Sequence, residues 1–200
     1  MPHRSTTSPE EAAALQEAGA RLVRHAHDMV LALPARGAQP RIPDGITLRT
    51  GIAPVPAMVR VRLLAYPPGH PDAGFSGRSA ADHEQDLTEL LSGRLVGSVL
   101  EDASAVTTDA AGAVAGAVVV TRIGPEPWGW AGGPWVADVM VVPAWQGRGL
   151  GRALLLHAIT RCSAAGEARI GLTVTDGNPA ERLYAALGFQ RRRTLYVLEE

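Results

Sequence analysis

The segment VADVMVVPAWQGRGLGRALLLH, residues 136–157, carries the clearest local pattern in the chain. It passes from an apolar run through a proline-opened, glycine-rich turn into a segment with apolar residues at Leu150, Leu154, Ala158 and Cys162. That spacing is typical of a helix. The segment therefore predicts a strand, a tight turn and a helix.

The turn has the features of an anion-binding site. Gly147, Gly149 and Gly151 allow the backbone to approach a ligand closely, and the following helix start offers free N–H groups. Arg148 and Arg152 add positive charge beside these donors. The turn is predicted to hold a phosphate-bearing ligand.

Two common phosphate loops do not fit. A P-loop needs a lysine, and the chain contains none. A dinucleotide fingerprint needs a third glycine where Arg152 stands. What remains is the pattern Gln146-x-x-Gly149-x-Gly151; an ordinary strand-to-helix turn, with glycines only for tightness, is the alternative.

This pattern, after a strand that ends at Pro143, resembles the acetyl-CoA pyrophosphate loop of the GCN5-related N-acetyltransferase (GNAT) superfamily. The resemblance implies that the pantetheine arm runs along the central strand, where backbone donors also stabilise the oxyanion. The coenzyme-binding residues implied are Val139, Met140, Val141, Gln146, Gly147, Arg148, Gly149, Leu150, Gly151, Arg152 and Asn178.

A second motif, TVTDGNPAERLYAALGF at residues 173–189, follows in the order that the superfamily has. Its first part continues an alternating strand, and Asn178, Pro179 and Glu181 form the pattern of a capped helix start. Gly188 is placed to end that helix. Two motifs in the right order are more specific than either alone.

Two residues are candidates for the chemistry. The resemblance implies that Tyr184 protonates the departing coenzyme thiolate; the alternative is a core aromatic with a satisfied hydroxyl. Asp138 is the only acid on the central strand and is the candidate base, although alternation places it opposite Val139 unless a bulge intervenes. Deprotonation through water, or entry of an already neutral amine, stays open.

The expected fold class is α/β (α+β), a GNAT-type mixed and mostly antiparallel central sheet that is flanked by helices and splayed at its central strands. Residues 1–45 are expected to form an N-terminal helical extension and a proline-rich linker, and residues 46–200 the acetyltransferase domain. Apolar spacing predicts one long helix up to Pro34. His25 and His27, two apart on that helix, would face different sides and form no metal pair.

The remaining pattern predicts short elements around these motifs. Strands are predicted at 46–49, 103–108, 113–123, 135–142, 169–175 and 194–198, and helices at 55–66, 80–91, 150–163 and 179–187. Residues 125–134 are expected to be an irregular loop in which Trp128 and Trp130 cap the core. The resemblance places an acceptor site near the first two helices, so His70, Asp72, His83 and Glu84 are candidate contacts, or merely turn formers and solvated helix charges.

Composition limits the function classes. The chain has 200 residues, 46% of them hydrophobic, and a net charge of −1, which gives no reason to expect nucleic acid or an anionic membrane as partner. Its single cysteine, Cys162, is expected in the core. No signal pattern or membrane-length apolar run is present, so a globular, cytoplasmic protein is expected.

The expected function is an acetyl-CoA-dependent N-acetyltransferase that acetylates a primary amine of a small-molecule or peptide acceptor by direct transfer, without metal. Two alternatives stay open. One is an acyl-CoA-binding sensor or interaction module without turnover, with the N-terminal extension docking a partner or forming a homodimer. The other is a transferase that uses a different acyl-CoA.

Overall fold

The structure is a computed structural model that describes residues 3–35, 38–73 and 79–199. Its strands are β1 His3–Thr6, β2 Arg21–Ala32, β3 Thr47–Thr50, β4 Ser98–Val99, β5 Ala105–Thr108, β6 Val114–Glu126, β7 Trp130–Val141, β8 Arg169–Thr175 and β9 Gln190–Glu199. Its helices are α1 Pro9–Glu17, α2 Val55–Ala65, α3 Ala80–Leu91, α4 Leu150–Ala164 and α5 Ala180–Ala186.

The strands form one nine-stranded sheet in the order β1-β9-β2-β8-β7-β6-β5-β3, with β4 paired to β6. The pair β7 and β8 is parallel, and the other strand pairs of the described residues are antiparallel. The predicted class, a mixed and mostly antiparallel sheet flanked by helices, is confirmed.

The predicted long N-terminal helix is wrong after its first nine residues. Helix α1 ends before Gly19, whose φ of 103° lets the chain reverse. Residues 21–32 then form β2, which lies between β8 and β9 inside the sheet. Because Ala26 to Met29 are all buried, the strand shows no alternation of apolar and polar residues, and its sequence resembles a helix pattern.

Most other elements lie where the sequence predicts them, within one or two residues. The exceptions are β9, which begins at Gln190 and not at 194, and the loop predicted at 125–134, since β6 and β7 continue toward each other and pair as far as Glu126 and Trp130. Trp130 is buried and packs edge-on against Trp135, 5.2 Å between ring centroids. Its expected core-covering role is confirmed, although it lies in a strand.

The core occupies both faces of the sheet. On one face, α4 packs Leu150 and Leu154 over residues such as Val118, and on the other α2 and α3 pack Met58 and Leu87 over Val119. Cys162 is buried in the first cluster, and burial raises the pKa of its thiol to about 12. Among the described residues, no helix has the length and apolar character that crossing a bilayer requires.

The sheet opens at its centre. Strand β7 pairs with β8 only at Trp135 with Gly171 and Val136 with Leu172, whereas β8 continues its pairing with β2 up to Thr175. Beyond Val136, the edge of β7 that faces β8 is free of strand pairing. The β7–β6 pairing also shifts register at this level, which places a bulge around Ala137.

The last paired position before this opening depends on a glycine. A Cβ at Gly171 would lie 2.2 Å from Trp135 Cζ3, because the indole lies directly on the β8 backbone. We expect Gly171→Ala to lower the free energy of unfolding by about 1–3 kcal/mol through overpacking. Urea unfolding measures this change.

Gly124→Ala is the matched control, since a Cβ there meets no atom within 4 Å and the residue has no positive φ. Equal stability of the two variants would contradict the packing described for Trp135.

Candidate active site

A cavity of about 580 Å³ lies beside the free edge of β7. It is bounded by the end of α2, the segment 143–152 and the start of α5. Its lining is Leu64, Ala65, Tyr66, Pro67, His70, Asp72, Val139, Val141, Pro143, Gln146, Gly147, Gly149, Leu150, Gly151, Arg152, Asn178, Pro179, Ala180, Leu183 and Tyr184. We call it the coenzyme-side cavity because it contains the predicted anion turn.

The turn is built by backbone conformation. A 3₁₀ turn over Pro143–Trp145 leads to Gly147 and Gly149, whose φ angles of 69° and 85° lie in the left-handed region. Gln146 Nε2 donates to the Val141 carbonyl at 2.9 Å and ties the turn to the end of β7. Helix α4 starts at Leu150, so its first N–H groups have no intrahelical acceptor and lie at the cavity.

The structure brings most of the predicted coenzyme residues to this cavity. Two of them lie elsewhere. The Met140 side chain is 1% exposed and packs in the core cluster of α2 and α3. The Arg148 guanidinium lies 5.3 Å above the Trp145 ring and lines a neighbouring cavity of about 500 Å³ together with Arg41 and Arg152.

A second cavity of about 320 Å³ lies between the diverging strands β7 and β8. We call it the acceptor-side cavity after the acceptor site that the sequence resemblance predicts. Its lining is Arg24, Arg62, Tyr66, Asp72, Asp86, Leu95, Val96, Val136, Ala137, Asp138, Val139, Leu172, Thr173, Val174, Asn178 and Tyr184. Five residues line both cavities, namely Tyr66, Asp72, Val139, Asn178 and Tyr184. The two cavities therefore meet where the sheet opens.

Tyr184 lies at this junction and is 6% exposed. Within the described part of the chain, its hydroxyl makes no hydrogen bond. Burial raises its pKa, and the nearby carboxylates of Asp72 and Asp138 raise it further. The phenol thus stays protonated at neutral pH and is available as a proton donor.

Asp138 is buried on the α2 side of the sheet, opposite Val139 as alternation predicts, because the bulge lies before it, around Ala137. Its Oδ1 accepts a hydrogen bond from the Tyr66 hydroxyl at 2.6 Å. Its Oδ2 lies 3.2 Å from Arg62 Nε, an ion contact that lacks the alignment of a hydrogen bond. Burial raises the pKa of Asp138, and Arg62 and Tyr66 offset part of that rise.

Sequence reasoning missed Tyr66 and Arg62. The Tyr66 hydroxyl also lies 3.1 Å from the Val139 carbonyl oxygen, so it contacts the central strand at two successive residues. One signal was available, because residues four apart share a helix face. An arginine four residues before a tyrosine, on a face that is otherwise apolar, indicates a buried acidic partner.

The junction is braced by hydrogen bonds to Asp72. Asn178 Nδ2 donates to Asp72 Oδ2 at 2.6 Å, and the Thr175 hydroxyl donates to Oδ1. Asn178 Oδ1 accepts from the Ala180 backbone N–H at 2.8 Å. The sequence pattern places Glu181 to complete a capping box with Asn178, but Glu181 pairs with Arg191 instead.

The four predicted acceptor contacts separate into two groups. Asp72 lines both cavities, whereas His70 lines the coenzyme-side cavity only. His83 lies on the buried face of α3 and is 4% exposed, and burial lowers its pKa; Glu84 is exposed. Neither His83 nor Glu84 lines either cavity.

Together these groups can support transfer between two ligands. A glycine-rich turn at a helix start can hold an anionic ligand on one side of the junction. A protonated phenol and a buried carboxylate of raised pKa lie on its two flanks, which suits one group to give a proton and the other to take one.

Comparisons with known proteins agree with this geometry. The model of the acetyltransferase (GNAT) family matches residues 63–189. Mycothiol acetyltransferases of Nocardioides sp. and Thermomonospora curvata are 32% and 31% identical over 174 and 157 residues, which cover 80% and 75% of this chain. The matched segments make up 54% and 46% of the full lengths of these two relatives, so the chain spans about half the length of each.

Among solved structures, a GCN5-related N-acetyltransferase from Sphaerobacter thermophilus has a TM-score of 0.68 at 20% identity. The similarity covers 98% of this chain and 57% of that one. It supports the fold.

The Tyr66–Asp138 hydrogen bond has a measurable effect on the pKa of Asp138. Because Tyr66 lowers the Asp138 pKa, we expect Tyr66→Phe to raise that pKa further. The pH dependence of the Asp138 carboxyl carbon shift in ¹³C NMR measures it, with Asp138→Asn to assign the resonance. Since the folded pKa is raised, the carboxyl favours the folded state at low pH, and this contribution is lost as pH rises through the folded pKa.

Tyr196→Phe is the control, because Tyr196 stacks on His25 and lines neither cavity. An Asp138 carboxyl that titrates at the same pH in wild type and Tyr66→Phe would contradict the hydrogen bond.

Proposed function

We propose, since the chain belongs to the acetyltransferase (GNAT) family, that it transfers an acetyl group from acetyl-CoA directly to a primary amine. One observation carries the proposal: a cavity containing an anion turn and a second cavity meet at Tyr184 and Val139, where β7 has a free edge. A thioester in the first cavity and an amine in the second would meet at that point.

The coenzyme would bind through backbone groups. Its diphosphate accepts from the N–H groups between Gly147 and Arg152, and the exposed guanidiniums of Arg148 and Arg152 supply positive charge. Its pantetheine arm lies along Val139 to Val141, where the missing β8 pairing leaves strand hydrogen-bonding groups for a ligand. Backbone donors at the same edge stabilise the oxyanion.

The acceptor would enter through the acceptor-side cavity. An ammonium there loses a proton to Asp138, whose raised pKa makes it a stronger base than an exposed aspartate. Tyr66 can relay this proton, since its hydroxyl bonds Asp138 and lines both cavities. The neutral nitrogen then attacks the thioester carbonyl carbon.

Collapse of the intermediate breaks the carbon–sulfur bond, and the coenzyme thiolate takes the Tyr184 proton. The nitrogen gives up its second proton, which restores the Tyr184 phenol, and Asp138 releases the first proton to water. The net products are an N-acetylated amine, free CoA and one proton. Direct transfer is supported by the position of Cys162, the only cysteine, which is buried away from both cavities and has a pKa raised to about 12.

Two other functions fit the same binding turn. An acyl-CoA-binding sensor would bind the coenzyme without releasing free CoA, and a transferase of another acyl group would prefer a larger thioester. Steady release of CoA with a panel of amines would show an enzyme and not a sensor. Comparison of turnover with a series of acyl-CoAs would show whether acetyl-CoA is the preferred donor. The panel should include a deacetylated mycothiol, because the curated relatives are named mycothiol acetyltransferases. We expect the reaction to occur in the cytoplasm.

Coenzyme binding tests the anion turn. We expect Gly149→Ala to weaken acetyl-CoA binding at least tenfold in isothermal titration, because φ is 85° there and a side chain would strain the turn. Gly124→Ala, remote from both cavities, should bind as wild type does. No binding by wild type at millimolar coenzyme, or equal affinity of both variants, would refute the assignment.

Turnover tests Tyr184. We expect Tyr184→Phe to lower kcat by about 10²–10⁴-fold with little change in the acetyl-CoA KM, because the phenol acts on the leaving thiolate and not on coenzyme binding. Release of free CoA in a thiol assay measures both constants. Tyr196→Phe is the control for loss of a tyrosine hydroxyl. A kcat within threefold of wild type in Tyr184→Phe would exclude the acid role.

A further inference from the structure

A group of metal-ligand side chains lies outside both cavities. His25, His27 and Asp176 each offer one ligand atom, and these atoms all lie within 4.8 Å of one another. The prediction that the two histidines face different sides followed from a helix. On strand β2, residues two apart lie on the same side, and their rings approach edge-on with 5.0 Å between centroids.

The donor atoms already lie near the spacing that a small cation needs. His27 Nε2 is 2.9 Å from Asp176 Oδ1, and His25 Nδ1 is 3.4 Å from Asp176 Oδ2. Ligands of tetrahedral Zn²⁺, each bound at about 2.0–2.2 Å, are separated from one another by about 3.3–3.5 Å. Asp176 is about half exposed, and its side chain can adjust to complete such a geometry.

Neighbouring groups orient all three ligands. The other ring nitrogen of His27, Nδ1, lies 3.0 Å from the Thr194 hydroxyl, which is the outer-shell contact that metal-binding histidines commonly have. The His25 ring stacks on Tyr196 at 4.6 Å and 8°. The Asp176 N–H donates to the His25 carbonyl at 2.8 Å, which fixes the loop to β2.

Asp176 supplies the negative charge of this group. Its carboxylate faces two imidazole nitrogens, which are metal donors when neutral. Of the nearby arginines, Arg191 pairs with Glu181, and Arg24, next to His25, donates to the Thr175 hydroxyl.

We propose that His25, His27 and Asp176 bind a divalent transition-metal ion of the Zn²⁺ class, with water completing its coordination. Two nitrogen ligands and one carboxylate are a set that such ions accept, whereas Mg²⁺ and Ca²⁺ prefer oxygen ligands alone. The ion joins β2 to the segment after β8. That segment also holds Asn178, so the metal would stabilise one wall of the junction between the cavities.

The test uses the tag-free full chain after chelator treatment, titrated with Co²⁺ and then with Zn²⁺. We expect one equivalent of Co²⁺ to give the visible absorption of a nitrogen- and oxygen-ligated ion, and Zn²⁺ to displace it. His25→Gln and Asp176→Asn should each weaken Co²⁺ binding at least tenfold. Thermal unfolding in chelator checks that both variants fold. If Asp176→Asn does not fold, His25→Gln alone tests the proposal.

His70→Gln is the matched control, because His70 also lies beside an aspartate, with Nδ1 3.9 Å from Asp72 Oδ2, but outside this group. It should bind Co²⁺ as wild type does. Absence of a one-to-one Co²⁺ complex in wild type, or equal binding by wild type and His25→Gln, would overturn the proposal and leave only a His–Asp hydrogen bond.

Discussion

The architecture depends on where strand pairing stops at the centre of the sheet. Strands β7 and β8 share two residue pairs, fixed by Trp135 lying on Gly171, and then separate. A strand edge without a partner exposes hydrogen-bonding groups that need a ligand or water. The separation creates this edge and the two cavities beside it, so one packing contact positions both the proposed coenzyme surface and the proposed entry path of an acceptor.

The same separation determines the electrostatics. Tyr66 and Tyr184 line both cavities and Asp138 lines the acceptor-side cavity, and loss of solvent contact raises the pKa of each. The two phenols stay protonated, whereas the carboxyl becomes a stronger base. The ordinary pKa difference between a phenol and a carboxyl separates the proton donor from the proton acceptor, and the Arg62 contact offsets part of the cost of burying the Asp138 carboxylate.

The sequence predicted those parts that local patterns determine. The glycine turn, α4 and α5 follow from spacing and turn residues within about twenty positions. Strand β2 could not be predicted from local patterns, because its partner strands lie some 150 residues away in the sequence. Its burial on both faces also removes the alternation of apolar and polar residues. The Tyr66–Asp138 contact spans 72 residues and was missed for the same reason. The prediction that His25 and His27 face different sides was a consequence of the wrong helix.

The most direct measurement of the central claim is backbone amide NMR during an acetyl-CoA titration. The account predicts that the amides of 147–152 and 139–141 shift most and become protected from hydrogen exchange, while those of the β3–β5 edge stay unchanged. Protection confined to other segments, with the amides of the turn and the free β7 edge unaffected by saturating coenzyme, would contradict it.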